Sequence, residues 1–158
     1  MHILVVGGGM GGTILANNLA RRLSGELEQG SSKITMLSAS DKHMYQPGLL
    51  YVAVGKMSTT ELYRDQKSLL EPSIDFHVDP VEKFDLDNNS VTTKSGKKIS
   101  YDIICIATGS RGNAAGIPGL AENACQFYTE ADALAMYKKL QKFEGGKVVV
   151  ATGVPHKC

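Results

Sequence analysis

A chain of 158 residues is long enough for one ordinary domain with a real core, and a formal net charge of +1 gives no electrostatic case for nucleic acid or an anionic surface. No apolar run reaches the roughly 18 residues that a membrane helix needs, and the apolar start is too short for a signal peptide. Three widely spaced cysteines give no disulfide framework, so reducing, cytosolic conditions fit, and no cluster of side chains predicts a metal site. The first predicted element is the apolar strand His2-Ile3-Leu4-Val5-Val6. It runs into Gly7-Gly8-Gly9-Met10-Gly11-Gly12, and a helical pattern follows over residues 13–24. Gly7, Gly9 and Gly12 fill the three places of G-x-G-x-x-G. The first allows a tight turn, the second lets backbone approach a pyrophosphate, and the third lets helix pack closely on strand. The amides of the helix start, Met10 and Gly11 among them, then meet the phosphates.

Leu15, Leu19 and Leu23, with Ala16 and Ala20 beside them, predict a buried helical stripe, and Arg21 and Arg22 suit the helix C-terminus. Residues 24–32 read as loop and 33–38 as a second parallel strand. A dinucleotide fold often places an acid at the end of that strand to bind a ribose hydroxyl. Ser38 stands there, and the nearest acid is Asp41. Either Ser38, Ala39, Ser40 and Asp41 bind the ribose through hydroxyls and backbone, or Asp41 reaches back, or Asp41 caps its own turn. Residues 41–48 read as irregular because of Pro47 and Gly48, and 49–54 as a short apolar stretch. Ser58-Thr59-Thr60-Glu61 is a capping box that predicts a helix through about Leu70. Short antiparallel strands are predicted over 74–78, 81–86, 90–94 and 98–101, with His77 as a satisfied structural histidine. Residues 101–110 read as a strand buried on both faces, with Cys105 in the core and Ala107-Thr108-Gly109 making a second close approach to a ligand. A helix is predicted over 129–143, capped by Thr129 and Asp132, with Leu134, Tyr137 and Leu140 as its apolar line. Residues 147–153 read as a fresh buried strand without neighbours. The chain therefore reads as the front part of a longer protein, cut at the start of a second α/β unit; the alternative is an edge strand on the first sheet.

This order of motifs resembles the flavin oxidoreductases with two dinucleotide-binding domains. The resemblance implies an α/β fold: a Rossmann-like FAD-binding domain with a parallel sheet and a three-stranded antiparallel meander over 1–112. A linking helix and the truncated start of a second Rossmann-like domain follow over 113–158. It also implies FAD contacts at Gly7, Gly9, Met10, Gly11, Gly12, Ser38, Ala39, Ser40, Asp41, Pro47, Val81, Ala107, Thr108 and Gly109. Residues 45–55 and 152–158, with Ser38 in the acidic position, are similar to sulfide:quinone oxidoreductases. Gly153 followed by Pro155 leaves no second glycine fingerprint of the kind NADH-using relatives carry.

That resemblance implies sulfide and a quinone as partners and a peripheral place on the cytoplasmic side of a membrane, through segments this chain lacks. It is compatible with a homo-oligomer. Cys158 matches a redox cysteine; Lys157 and His156 beside it would favour its thiolate. Cys125 falls where some members carry a further cysteine, or is an incidental thiol. The family's second redox cysteine is absent, so the chain alone is expected to be inactive. The competing readings are an NAD(P)H-dependent flavoprotein reductase, such as a type II NADH:quinone oxidoreductase, and a truncated, non-catalytic FAD-binding module.

Overall fold

The computed structural model describes residues 1–151. Its centre is a four-stranded parallel sheet in the order β5-β2-β1-β9. These strands are β1 (His2–Val6), β2 (Lys33–Ser38), β5 (Ile74–Val78) and β9 (Ile103–Ile106). Alternation along each strand sends side chains to two cores. On one face Ile3, Val5, Ile34, Met36 and Ile74 pack against Ala16 and Ala20 of helix α1 (Met10–Arg22). Alanines let helix and sheet approach closely, while Leu19 and Leu23 pack half-buried at the margin. Leu27 joins them from a short helix α2 (Ser24–Glu28), where the sequence predicted only loop. On the other face Leu4, Val6 and Leu37 meet Val91 and Tyr101. Fully buried residues such as Leu4, Ile34 and Leu37 each contribute about 1.5–3 kcal/mol of apolar transfer.

The second core is roofed by an antiparallel meander of β6 (Val81–Asp85), β7 (Ser90–Thr93) and β8 (Lys98–Ser100). Residues 74–78 were expected among these antiparallel strands. They instead pair in parallel with β2, Ile34 opposite Ile74, and form one sheet edge. The expected helix to Leu70 also fails beyond its cap. The Ser58 capping box forms, but it starts only a 3₁₀ turn at Thr59–Leu62. Residues Tyr63–Asp65 then become β4, antiparallel to β3 (Lys42–Met44) inside the segment expected to be irregular. Long-range pairing there overrides local helical preference. Gln46–Gly48 is a 3₁₀ turn leading into α3 (Leu49–Ala53).

A third core joins Leu49, Val52 and Ala53 of α3 to Leu62 and to Ala133 of α5 (Glu130–Gln141). A short α4 (Leu120–Asn123) precedes it. The Thr129–Asp132 capping box starts α5 as expected. Its buried face is different, however: Ala133 is enclosed, Met136 packs half-buried beside it, and Leu134 and Leu140 are exposed. Two further expectations fail for one reason, the lack of a neighbour. β9 closes the other sheet edge with Ile103 and Ile106 exposed, so it is not buried on both faces. Residues 147–151 form no strand, neither a buried one nor an edge of the first sheet, and Val150 is 95% exposed.

Candidate functional site

Three loops meet at the carboxyl end of the parallel sheet: Gly7–Gly12 after β1, Ser38–Asp41 after β2 and Ala107–Gly109 after β9. Strand order reverses at β1, with β2 on one side and β9 on the other. Such a switch point leaves a crevice above the strand ends where ligands bind. The Gly7 amide donates to the Leu37 carbonyl (2.8 Å) and the Ala107 amide to the Val6 carbonyl (2.7 Å), tying the three loops into one frame.

The glycines divide into those that permit the frame and those that face open space. Gly7 has φ +116°, and a Cβ there would strike the Ala107 carbonyl. A Cβ at Gly12 would strike the Gly7 carbonyl oxygen, so α1 starts hard against the turn. A Cβ at Gly8 would stand 2.5 Å from Ser38 Oγ. At Gly9 and Gly11 a Cβ would meet nothing within 4 Å. This is the side open to a ligand.

Helix α1 begins at Gly9 with no side-chain cap and no acid in its first turn. Its first amides lack intrahelical partners, and the positive end of its dipole faces the open side. An anion is what completes such an end, so these residues fit a pyrophosphate. Met10, on the first turn, is exposed.

The remaining predicted contacts fall around this point. Ser38 is nearly buried, and its Oγ accepts the Ser40 amide (3.2 Å); Ser40 Oγ accepts the Lys42 amide (2.9 Å). Among the described residues the Asp41 carboxylate accepts no backbone amide, so the turn-capping reading of Asp41 is not seen. The carboxylate is exposed, with Lys42 Nζ 3.9 Å away. Ala39, Thr108 and Gly109 are exposed at the same rim. Val81 packs half-buried against the core that holds Val6 and Leu37, and Pro47 is exposed in the turn between β3 and α3.

The cysteines separate. Cys105 is half-buried against the α1 core, as expected, while Cys125 is exposed between α4 and α5, outside the three loops. Cys158 lies outside the described residues, as do Gly153 and Pro155. His77 is partnered: its Nε2 lies 2.9 Å from Asp75 Oδ1, and Lys33 Nζ lies 2.7 Å from Asp75 Oδ2. Burial pushes the Asp75 carboxyl up, but the Lys33 and His77 contacts outweigh it and hold it below the usual carboxylate range.

Sequence reasoning missed three residues below the glycine turn. Gln66 is 0% exposed and reaches both Thr13 and His43, and His43 and Thr13 both reach the Gly8 carbonyl. Thr13 could have been noticed as the first residue after the glycine motif. Gln66 carried no signal, since its segment reads as helix.

Comparison with known proteins agrees with this geometry. The family of pyridine nucleotide-disulphide oxidoreductases matches residues 1–153. The sulfide-quinone reductase of Aquifex aeolicus is 37% identical over 152 residues, 94% of this chain and 34% of that protein. The mitochondrial sulfide:quinone oxidoreductase of Mus musculus is 30% identical, over 99% of this chain and 35% of its own length. The X-ray structure of the Aquifex aeolicus sulfide:quinone oxidoreductase superposes with a TM-score of 0.74 at 33% identity, covering 89% of this chain and 32% of that one. The chain thus spans about a third of the length of these relatives. A family match over nearly its whole length, on a fold that sets an uncapped helix above a glycine turn, places the chain in the pyridine nucleotide-disulphide oxidoreductase family.

Proposed function

We propose that this chain is the FAD-holding part of a flavoprotein that oxidises sulfide and passes the electrons to a quinone. The observation that supports it is the uncapped start of α1 at Gly9, open to a pyrophosphate, in a chain 37% identical to a sulfide-quinone reductase. Residues 1–112 hold the nucleotide, and residues 113–158 lead into a second dinucleotide-binding-like unit. The amides of Gly9 to Gly12 take the pyrophosphate, Ser38 to Asp41 the ribose side, and Pro47, Val81 and Ala107 to Gly109 border the rest. When bound, FAD supplies a two-electron acceptor able to pass electrons to a quinone.

Cys158, with Lys157 and His156 beside it, is the thiol that meets sulfide; Cys125 is an accessible second thiol. The protein works peripherally on the cytoplasmic side of a membrane. No helix among the described residues is long and apolar enough to cross one.

The test is a visible spectrum of the purified chain, supplied with FAD, before and after anaerobic sulfide. A flavin band bleached once by sulfide and not by NADH, without turnover, is the expected result. A band bleached by NADH alone would move the chain to the nicotinamide-linked reductases. A band that only dithionite bleaches would leave a cofactor-binding module. Cys158→Ser should keep the flavin and abolish its bleaching by sulfide.

A further inference from the structure

The carbonyl of Gly8 sits in a closed ring of hydrogen bonds. Gln66 Nε2 donates to Thr13 Oγ1 (2.9 Å), and Thr13 Oγ1 donates to the Gly8 carbonyl (3.3 Å). His43 Nδ1 lies 3.1 Å from the same carbonyl and 3.0 Å from Gln66 Oε1. Its two nearer partners are carbonyl oxygens, which only accept, and the Thr13 hydroxyl stands farther off at 3.5 Å with its own proton committed to the Gly8 carbonyl, so Nδ1 carries the proton. The four contacts are then mutually compatible, with the one Nδ1–H shared between the Gly8 and Gln66 oxygens. Gln66 is fully buried, and its own amide is pinned to the Asp41 carbonyl (2.8 Å). A buried side-chain amide is tolerated only when its hydrogen bonds are made, so the ring forms as a unit or not at all.

This ring has a consequence on its far side. Among the described residues no peptide bond is cis. In a trans peptide the C=O and N–H point in opposite directions. Holding the Gly8 carbonyl inward therefore turns the Gly9 N–H the opposite way, at a residue where even an added Cβ would meet nothing within 4 Å. That N–H has no partner among the described residues.

We propose that His43, Gln66 and Thr13 are positioning residues that preset the Gly8–Gly9 peptide, so that the Gly9 N–H is aimed at a nucleotide phosphate before the nucleotide arrives. The inference rests on the dinucleotide reading of the turn. Without the ring the peptide is free to rotate, and binding must then order it.

The test measures the affinity of the apo chain for FAD and for ADP by titration calorimetry. His43→Phe keeps a flat ring and removes the donor. His43→Asn restores an amide N–H near the position of Nδ1. We expect His43→Phe to bind both nucleotides about tenfold more weakly, and His43→Asn to recover to within about threefold at a matching melting temperature, the size of a lost preorganised contact. The ¹⁵N resonance of the Gly9 amide should broaden in His43→Phe and sharpen again in His43→Asn. Should His43→Phe fail to fold, Thr13→Val against Thr13→Ser breaks and restores the same ring at another point.

Unchanged affinity in His43→Phe, or equal losses in Phe and Asn, overturns the proposal. Ring-dependent binding of ADP with FAD no tighter than ADP upholds the ring and refutes the flavin. A wild-type chain that binds neither nucleotide overturns both.

Discussion

Gly11 and Gly12 are neighbours in α1 with opposite surroundings. Alanine at either position improves helix propensity by about 1 kcal/mol. At Gly12 the new Cβ meets the Gly7 carbonyl oxygen, a backbone atom that cannot swing away. Moving α1 off β1 costs about 1–3 kcal/mol, so the collision wins. Gly12→Ala should lower the urea midpoint of the apo chain and weaken FAD binding. Gly11→Ala meets no atom and should raise the midpoint while still obstructing the nucleotide side. Equal midpoints in the two variants would contradict the division of glycines described above. This division was legible in the sequence because the motif is local: strand, turn and helix lie within a few residues. The ring beneath it was not, since Thr13, His43 and Gln66 come from three segments and none is unusual where it stands.

Element by element, the sequence reading succeeded where a pattern carries its own partner and failed where the partner is distant. The Ser58 and Thr129 capping boxes are both present, as each is complete within four residues. The helix expected beyond Ser58 is absent because Tyr63–Asp65 pairs with Lys42–Met44, about twenty residues back. β5 has the same alternation as an antiparallel strand, and only its pairing with β2 makes it parallel.

The hairpin of β3 and β4 also anchors α5, for the Tyr63 hydroxyl donates to the Glu130 carboxylate. That hydrogen bond, with smaller effects of burial and of the Glu130 charge, raises the Tyr63 pKa above 10.0. A raised folded-state pKa means that the folded chain holds this proton more tightly than the unfolded chain. Its stabilising contribution is therefore complete below pH 10 and lost as pH rises through the folded value. Glu130→Gln should shift the tyrosinate absorbance titration of Tyr63 downward, and Tyr63→Phe should remove that part of the alkaline loss in stability. An unshifted titration would mean that the contact does not persist in solution.

At the scale of the whole molecule, the two edges of the parallel sheet differ. β5 carries Asp75 and His77 beside Lys33, polar groups that discourage further pairing. β9 leaves Ile103 and Ile106 exposed. Exposed apolar side chains on an unpaired strand invite self-association. Ile106→Lys should lower light scattering of concentrated apo chain while leaving the melting temperature nearly unchanged; undiminished scattering would place the sticky surface elsewhere. This edge was not legible in advance because a continuous apolar run looks the same whether one or two neighbours cover it.

The parallel register of β1 sets Ile3 against Ile34 on one side and Ile103 on the other. This strand is thus made before both of its neighbours and gains β9 only after β2. At typical synthesis rates, its second neighbour emerges roughly 3–14 s after its first. Over that interval the nascent chain carries the glycine turn and α1 with one flank of their supporting strand bare. Nucleotide capture therefore waits on a contact between residues about a hundred positions apart, and a pause in translation before residue 103 would prolong the period in which that flank stays bare.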